Sequence, residues 1–370
     1  MRIWTLCVVA MAAGASPALA AGVESRLDQI ELPPGFSIAL YADDVPNARS
    51  LTRSNGGVIY VGTRREDVVY ALQDTDGDGR ADRQTIVAKG LDMPNGVVWY
   101  QGDLYIAENE RISRLRNIDQ RLQNPPKPEV IYAELPGEAH HGWRFMDVGP
   151  DGWLYVAIGA PCNVCDESDP FSSIARLKPD GSGFEVYARG VRNSVGFTWH
   201  PETDDLWFTD NGRDWLGDDL PPGELNRATE AGQHFGFPYC HGGEVPDPEF
   251  GKNRDCADYV APVQKLGPHV APLGMIFYTG MMFPAEYRGQ VLIAEHGSWN
   301  RSNKIGYRLT RVTLDGSSAT HYAPYASGWL QGQKAWGRPV DLLQLPDGSL
   351  LVSDDHAGVI YRITYHASSS

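Results

Sequence analysis

The chain has 370 residues, a formal net charge of −15, 42% hydrophobic residues and 21% charged ones. So acidic a balance argues against nucleic acid or an anionic membrane surface as the partner. Forty glycines and 26 prolines, with few amphipathic helical stretches, suit a turn-rich all-β protein, and one closed repeat array can run to this length as a single domain.

Residues 1–20 read as a signal peptide. Arg2 gives a positive start, Leu6 to Ala13 an apolar core too short and alanine-rich to anchor, and Ala18-Leu19-Ala20 a small-residue cleavage site. Cleavage removes Arg2, takes the charge from −15 to −16, and implies a periplasmic or secreted domain over 21–370. No later segment is long and apolar enough to span a membrane.

Next comes FSIALYAD (Phe36 to Asp43), a strand with no turn-linked partner nearby. Six short apolar or aromatic strands follow, centred on Tyr60, Tyr105, Tyr155, Trp207, Leu292 and Leu351, each closing on a polar loop. The intervals of 45, 50, 52, 85 and 59 residues approximate one four-stranded propeller blade, with extra chain in the fourth. Between the first two lies Asp74-Thr75-Asp76-Gly77-Asp78-Gly79 with Asp82 at the ninth place. This matches half an EF-hand loop, but Thr85 replaces the closing glutamate, so a plain hairpin turn and a short structural calcium loop both fit.

From Asn95 a whole blade is legible: GVVWY, LYIAE, ISRL and EVIYAE, with alternating apolar positions. Cys7 leaves with the signal, so four cysteines remain. Cys162–Cys165 and Cys240–Cys256 are the expected disulfides, because each pair is local and closes a loop with no regular pattern. No histidine follows Cys165, which excludes c-type haem attachment, and zinc would need two further ligands that the spacing does not offer. The long interval is read as an insertion at about 213–273. Trp215, His269 and Trp299 are candidates to flank a substrate. The last blade shows only VDLLQL, SLLVSD and VIYRITY, so FSIALYAD is expected to supply its outer strand and close a six-bladed β-propeller.

Strand direction then sorts the loops. Segments before innermost strands and after second strands share one mouth of the channel. They carry Arg49, Arg64, Arg65, Asn95, Glu108, Asn109, His140, His141, Arg192, Asn193, Asp210 to Gly212, Glu295, His296, Arg301, Lys304, Arg338, Asp355 and His356. Several cations converging in so acidic a chain suggest an anionic ligand.

Five stretches on these loops are HHGWRFMDVGPDGWLYVAIGAPCNVC, GVRNSVGFTWHP, LWFTDNGRDWLGDDLPPGELN, AEHGSWNRSNKIGYRL and GRPVDLLQLPDGSLLVSDDHAGVIYRI. In order and position they resemble the soluble quinoprotein sugar dehydrogenases, most closely the sorbosone-dehydrogenase-like branch. That resemblance implies a six-bladed propeller holding pyrroloquinoline quinone (PQQ) and calcium, and oxidation of a sugar or related alcohol or aldehyde with an external acceptor such as a cytochrome or quinone. It implies that Arg192, Arg338 and either Lys304 or Arg301 bind the quinone or its carboxylates, since guanidinium forks match carboxylates. Asn95 and Asn193 would hydrogen-bond the quinone, and the backbone carbonyls of Gly212 and Arg213 would hold the catalytic calcium. His141 would be the general base, with His140 its rival.

Two departures stand out. Ala160 occupies the place of the aspartate that orients the base in glucose-oxidising relatives, which leaves Asp166, Asp169 or a different device. Val340 replaces a cofactor-binding arginine. Two other readings remain open: a calcium-dependent propeller lactonase, which would need carboxylates and asparagines converging on the ion, and a non-catalytic carbohydrate-binding propeller, which needs neither base nor cations.

Overall fold

The computed structural model describes residues 22–367, so the expected signal peptide lies outside the described residues. Six four-stranded antiparallel sheets succeed one another as blades over 48–89, 96–132, 146–189, 197–268, 272–326 and 339–365. Each runs from an inner to an outer strand, as the blade of Gly96–Tyr100, Asp103–Ala107, Ile112–Leu115 and Glu129–Tyr132 illustrates. No described helix is long and apolar enough to cross a membrane.

The sixth blade is completed by the N-terminal strand Phe36–Ala42, which pairs antiparallel with Val359–Tyr365 and sets Phe36 opposite Tyr365 and Leu40 opposite Tyr361. This pairing covers a sheet edge that would otherwise be free. Phe36 then packs its ring 4.7 Å from Phe283 and 5.3 Å from Tyr325, fastening the closure to the fifth blade.

Alternation along the strands sends apolar side chains into the spaces between blades. Trp207, Leu225, Met275, Phe277, Val291 and Ile293 fill the space between the fourth and fifth, for example. Near the axis the inner strands approach backbone to backbone. A Cβ on Gly96 would meet the Arg144 carbonyl, and one on Gly274 would meet the main chain of Val340 and Asp341 in the next blade. Glycine is required there by space.

The expected insertion at 213–273 needs correction. Pro222–Ala228 and Gln264–Pro268 are the third and fourth strands of the fourth blade, so the extra chain is two segments, 211–221 and 229–263. The strand PGELNRA shows no apolar alternation, because Glu224 and Asn226 are among its buried residues. Cys240 is bonded to Cys256 within the second segment, and Cys162 to Cys165 in the third blade, the pairings expected from locality.

Gly274→Ala should cost about 1–3 kcal/mol, the range for overfilling a packed interior. Urea unfolding should therefore show a lower midpoint with an unchanged slope.

Candidate active site

The mouth holds a cavity of about 570 Å³, within the size range of small-molecule sites. Arg49, Arg64, Arg192 and Arg338, His140, His141, His269 and His296, Asn193, Asn211, Gly212 and Asp214 all line it. Trp143 and Trp299 supply its aromatic surface.

His141 sits on the loop entering the third blade, in left-handed backbone at φ 53°. Its Nδ1 lies 2.8 Å from the Ala160 carbonyl oxygen. A carbonyl only accepts, so Nδ1 carries the proton and Nε2 is left with an open lone pair. Burial, then the Arg192 and His140 charges, hold this imidazole well below its usual range, so it is neutral at physiological pH. A Cβ on Gly159 would come within 2.6 Å of the His141 Cβ, so that glycine makes room for the ring.

The Ala160 main chain thus does the orienting. Asp166 instead accepts from the Tyr239 hydroxyl at 2.7 Å, and Asp169 pairs with Arg189 at 2.7 Å. Neither stands in for the missing aspartate.

A second histidine is oriented by a carboxylate. His296 Nε2 lies 2.7 Å from Asp355 Oδ1, while Asp355 Oδ2 receives Arg49 at 3.1 Å and Arg64 at 3.4 Å. Burial alone would raise Asp355, but His296, Arg49 and Arg64 outweigh it and hold the carboxylate far below its usual range. Burial also pushes His296 down to about 4, so its ring is neutral, Nε2 donates, and Nδ1 is the acceptor. Arg49 continues the network through Nε to Asn95 Oδ1 at 2.7 Å, and Asn95 Nδ2 donates to the Arg144 carbonyl at 2.9 Å. Blades five, six, one, two and three are linked in turn.

The other two arginines differ. Arg192 is largely engaged, donating to Asn163 and Asn211 and lying 3.4 Å from Asp214. Its backbone N–H and that of Asn193 donate to buried Asp210 at 2.8 and 2.7 Å. Burial, then the neighbouring Glu224 carboxylate, push Asp210 up. Arg338 donates Nε and one terminal nitrogen to the carbonyls of His296 and Gly297, at 2.9 and 2.7 Å, and has no carboxylate partner among the described residues. Its positive charge therefore faces the cavity without a carboxylate partner among the described residues.

The expected site is therefore assembled in part. His141, Arg192, Asn193, Gly212 and Arg338 converge on the cavity. Asn95 does not face a ligand, because both ends of its amide are used inside the protein. Arg301 lies outside the wall, its guanidinium held by the Asp218 and Asn303 carbonyls and by Asp219. Lys304 is outside too, with Nζ 5.9 Å from the Tyr307 ring centre.

The Arg213 side chain turns away to Asp247 at 2.5 Å, but no hydrogen bond among the described residues uses the carbonyl of Gly212 or of Arg213. Those oxygens fit an oxygen-seeking cation, and an open Arg338 fits an anion, so this donor set suits calcium and a polycarboxylate quinone. Far from the mouth, Asp74, Asp76 and Asp78 have carboxylate oxygens within 4.8 Å of one another. Asp82, expected with them, instead accepts from Thr75 through backbone and hydroxyl at 3.1 and 2.5 Å.

Residues 23–363 match a family described as a domain of unknown function, DUF7133. The chain belongs to this family. An uncharacterized protein of Borreliella burgdorferi is 33% identical over 357 residues, covering 92% of each chain. The pyrroloquinoline quinone-dependent pyranose dehydrogenase of Coprinopsis cinerea is 31% identical over 128 residues, 29% of this chain and 17% of that protein. Among solved structures, the holo form of the pyranose dehydrogenase PQQ domain from Coprinopsis cinerea aligns with a TM-score of 0.77 at 18% identity, over 90% of this chain and 97% of that one. A calcium structure of a Trichoderma reesei family AA12 enzyme also gives 0.77 at 18% identity, over 91% and 97%. These likenesses establish the six-bladed fold.

Acid titration should expose the buried dyad. An unfolded histidine binds its proton near pH 6.5, whereas folded His296 resists until about 4, so its contribution is complete above 6.5 and lost as pH falls through 4. The span corresponds to about 3 kcal/mol. Urea unfolding of His296→Gln between pH 7 and 4 should show a shallower loss of stability than the parent; equal slopes would contradict a neutral buried His296.

Proposed function

We propose that the protein is a quinoprotein oxidoreductase. It would bind PQQ and calcium in the mouth cavity, oxidise a sugar or related alcohol or aldehyde of aldose or sorbosone type, and pass electrons to an external acceptor in the periplasm or outside the cell. The observation that carries this reading is His141, a neutral imidazole with its open Nε2 on the wall of an arginine-lined cavity. When bound, PQQ supplies a two-electron acceptor and calcium a Lewis acid.

The chain's own residues do the rest. Nε2 of His141 takes the proton of a substrate hydroxyl while the Ala160 carbonyl fixes the ring and stabilises the imidazolium that forms. Arg338, with donors to spare, would bind a carboxylate, and Arg192 would add positive charge to the same wall. Asn193 is fixed by Asp210 through its N–H and presents its amide to the same space. Gly212 and Arg213 offer carbonyl oxygens to the cation. The Asp74–Asp76–Asp78 group is in this reading a structural cation loop.

A lactonase would need several carboxylates around one ion, whereas this wall carries four arginines and only Asp214 among acids. A binding module would have no use for a tautomer-fixed, neutral imidazole.

The test is dye reduction by purified protein given PQQ, calcium and a panel of aldoses and sorbosone. His141→Ala should lower turnover by about two to four orders of magnitude, as loss of a general base does, while His140→Ala changes it little. The reverse pattern would reassign the base. Because His141 is held well below the usual imidazole range, kcat/KM should stay level as pH falls past 6.5 and decline only at lower pH. Lactone hydrolysis with calcium alone, and no cofactor binding, would overturn the proposal.

A further inference from the structure

Two tryptophans stand open at the cavity rim. Trp215, on the 211–221 loop of the fourth blade, is 68% exposed, and Trp299, on a loop of the fifth blade, is 67% exposed. Their rings are 5.3 Å apart and nearly perpendicular, at 87°. Trp299 also lines the cavity, so the pair continues its wall outward.

The two loops are locked together. Arg301 donates to the Asp218 carbonyl at 3.0 Å and pairs with Asp219 at 3.2 Å. The Ser302 N–H donates to the Asp218 carboxylate at 3.0 Å, and His269 Nε2 donates to the Gly217 carbonyl at 2.8 Å. Trp215 itself is held at φ 70°, a conformation unfavourable for a bulky residue unless its surroundings impose it. The edge-to-face contact between the indoles offsets only part of the cost of leaving two large apolar side chains in water, so this rigidity is expected to serve a ligand.

We propose that Trp215 and Trp299 form an outer saccharide subsite, so that the preferred substrate is an oligosaccharide. Its terminal ring enters the cavity while the next ring lies in the corner between the indoles. This rests on the sugar-oxidising reading above. A pyranose presents an apolar C–H face that suits one indole. A protein partner fits less well. With Leu220, the exposed apolar side chains here number three, whereas a stable interface engages on the order of 20 residues a side.

The test uses glucose, maltose, maltotriose, cellobiose and cellotriose. On cofactor-free protein, saturation-transfer NMR should show contact to the second ring of at least one disaccharide, weakened by Trp215→Phe and abolished by Trp215→Ala. With PQQ and calcium, kcat/KM for the matching oligosaccharide should exceed that for glucose about tenfold, and Trp215→Ala should bring that ratio close to one. Absence of second-ring contact throughout the panel overturns the subsite. So does a Trp215→Ala effect confined to the rate with a cytochrome acceptor, which would make the pair an acceptor dock. Dye reduction by monosaccharides without second-ring contact sinks the subsite alone, whereas failure of PQQ binding sinks the oxidoreductase reading itself.

Discussion

A single buried carboxylate, Asp355, holds the mouth of the propeller together. Its side chain is only 3% exposed and it engages Arg49 and Arg64 of the first blade and His296 of the fifth, while belonging to the sixth. A buried arginine without a counter-charge is costly, so Arg49 can lie at the channel axis only because Asp355 does. Arg49 in turn orients Asn95, and Asn95 meets the Arg144 carbonyl. Together with other inter-blade hydrogen bonds, such as the Leu51 N–H to Asp341 at 2.8 Å and the Thr209 hydroxyl to the Leu273 carbonyl at 2.6 Å, the network fixes the blades in angle where the cavity opens.

Beside this network, two features are left for a ligand. One is charge: Arg338 spends two of its nitrogens on carbonyls and meets no carboxylate among the described residues, in a chain with a net charge of −15. The other is a pair of tautomer-fixed imidazoles. His141 is bound through Nδ1 and His296 through Nε2, so each keeps one open acceptor nitrogen. In the proposed reading the cations would hold an anionic cofactor that accepts the electrons, and the neutral imidazole of His141 would take the proton of the substrate alcohol.

Much of the fold was legible because its determinants are local. Alternation and turn spacing marked the strands around Tyr105 and Tyr155, and the strand missing from the last blade pointed to Phe36–Ala42. The third strand of the fourth blade escaped because Glu224 and Asn226 occupy positions where alternation calls for apolar residues. In the site, the loop on which a residue lies could be read, but not the direction of its side chain. Asn95 and Arg301 are on the correct loops yet spend their polar atoms on neighbours remote in sequence. The group orienting His141 is a backbone carbonyl, which no residue type announces, and the His296–Asp355 contact spans 59 positions.

The most direct measurement of the central claim is a calorimetric titration of cofactor-free protein with PQQ, with and without calcium, comparing the parent with Arg338→Gln. The account requires saturable one-to-one binding that depends on calcium. It also requires weakening by about 1.5–3 kcal/mol when Arg338 is replaced, as for losing a charged hydrogen-bond partner. Binding that is absent, or equally tight without Arg338, would contradict it.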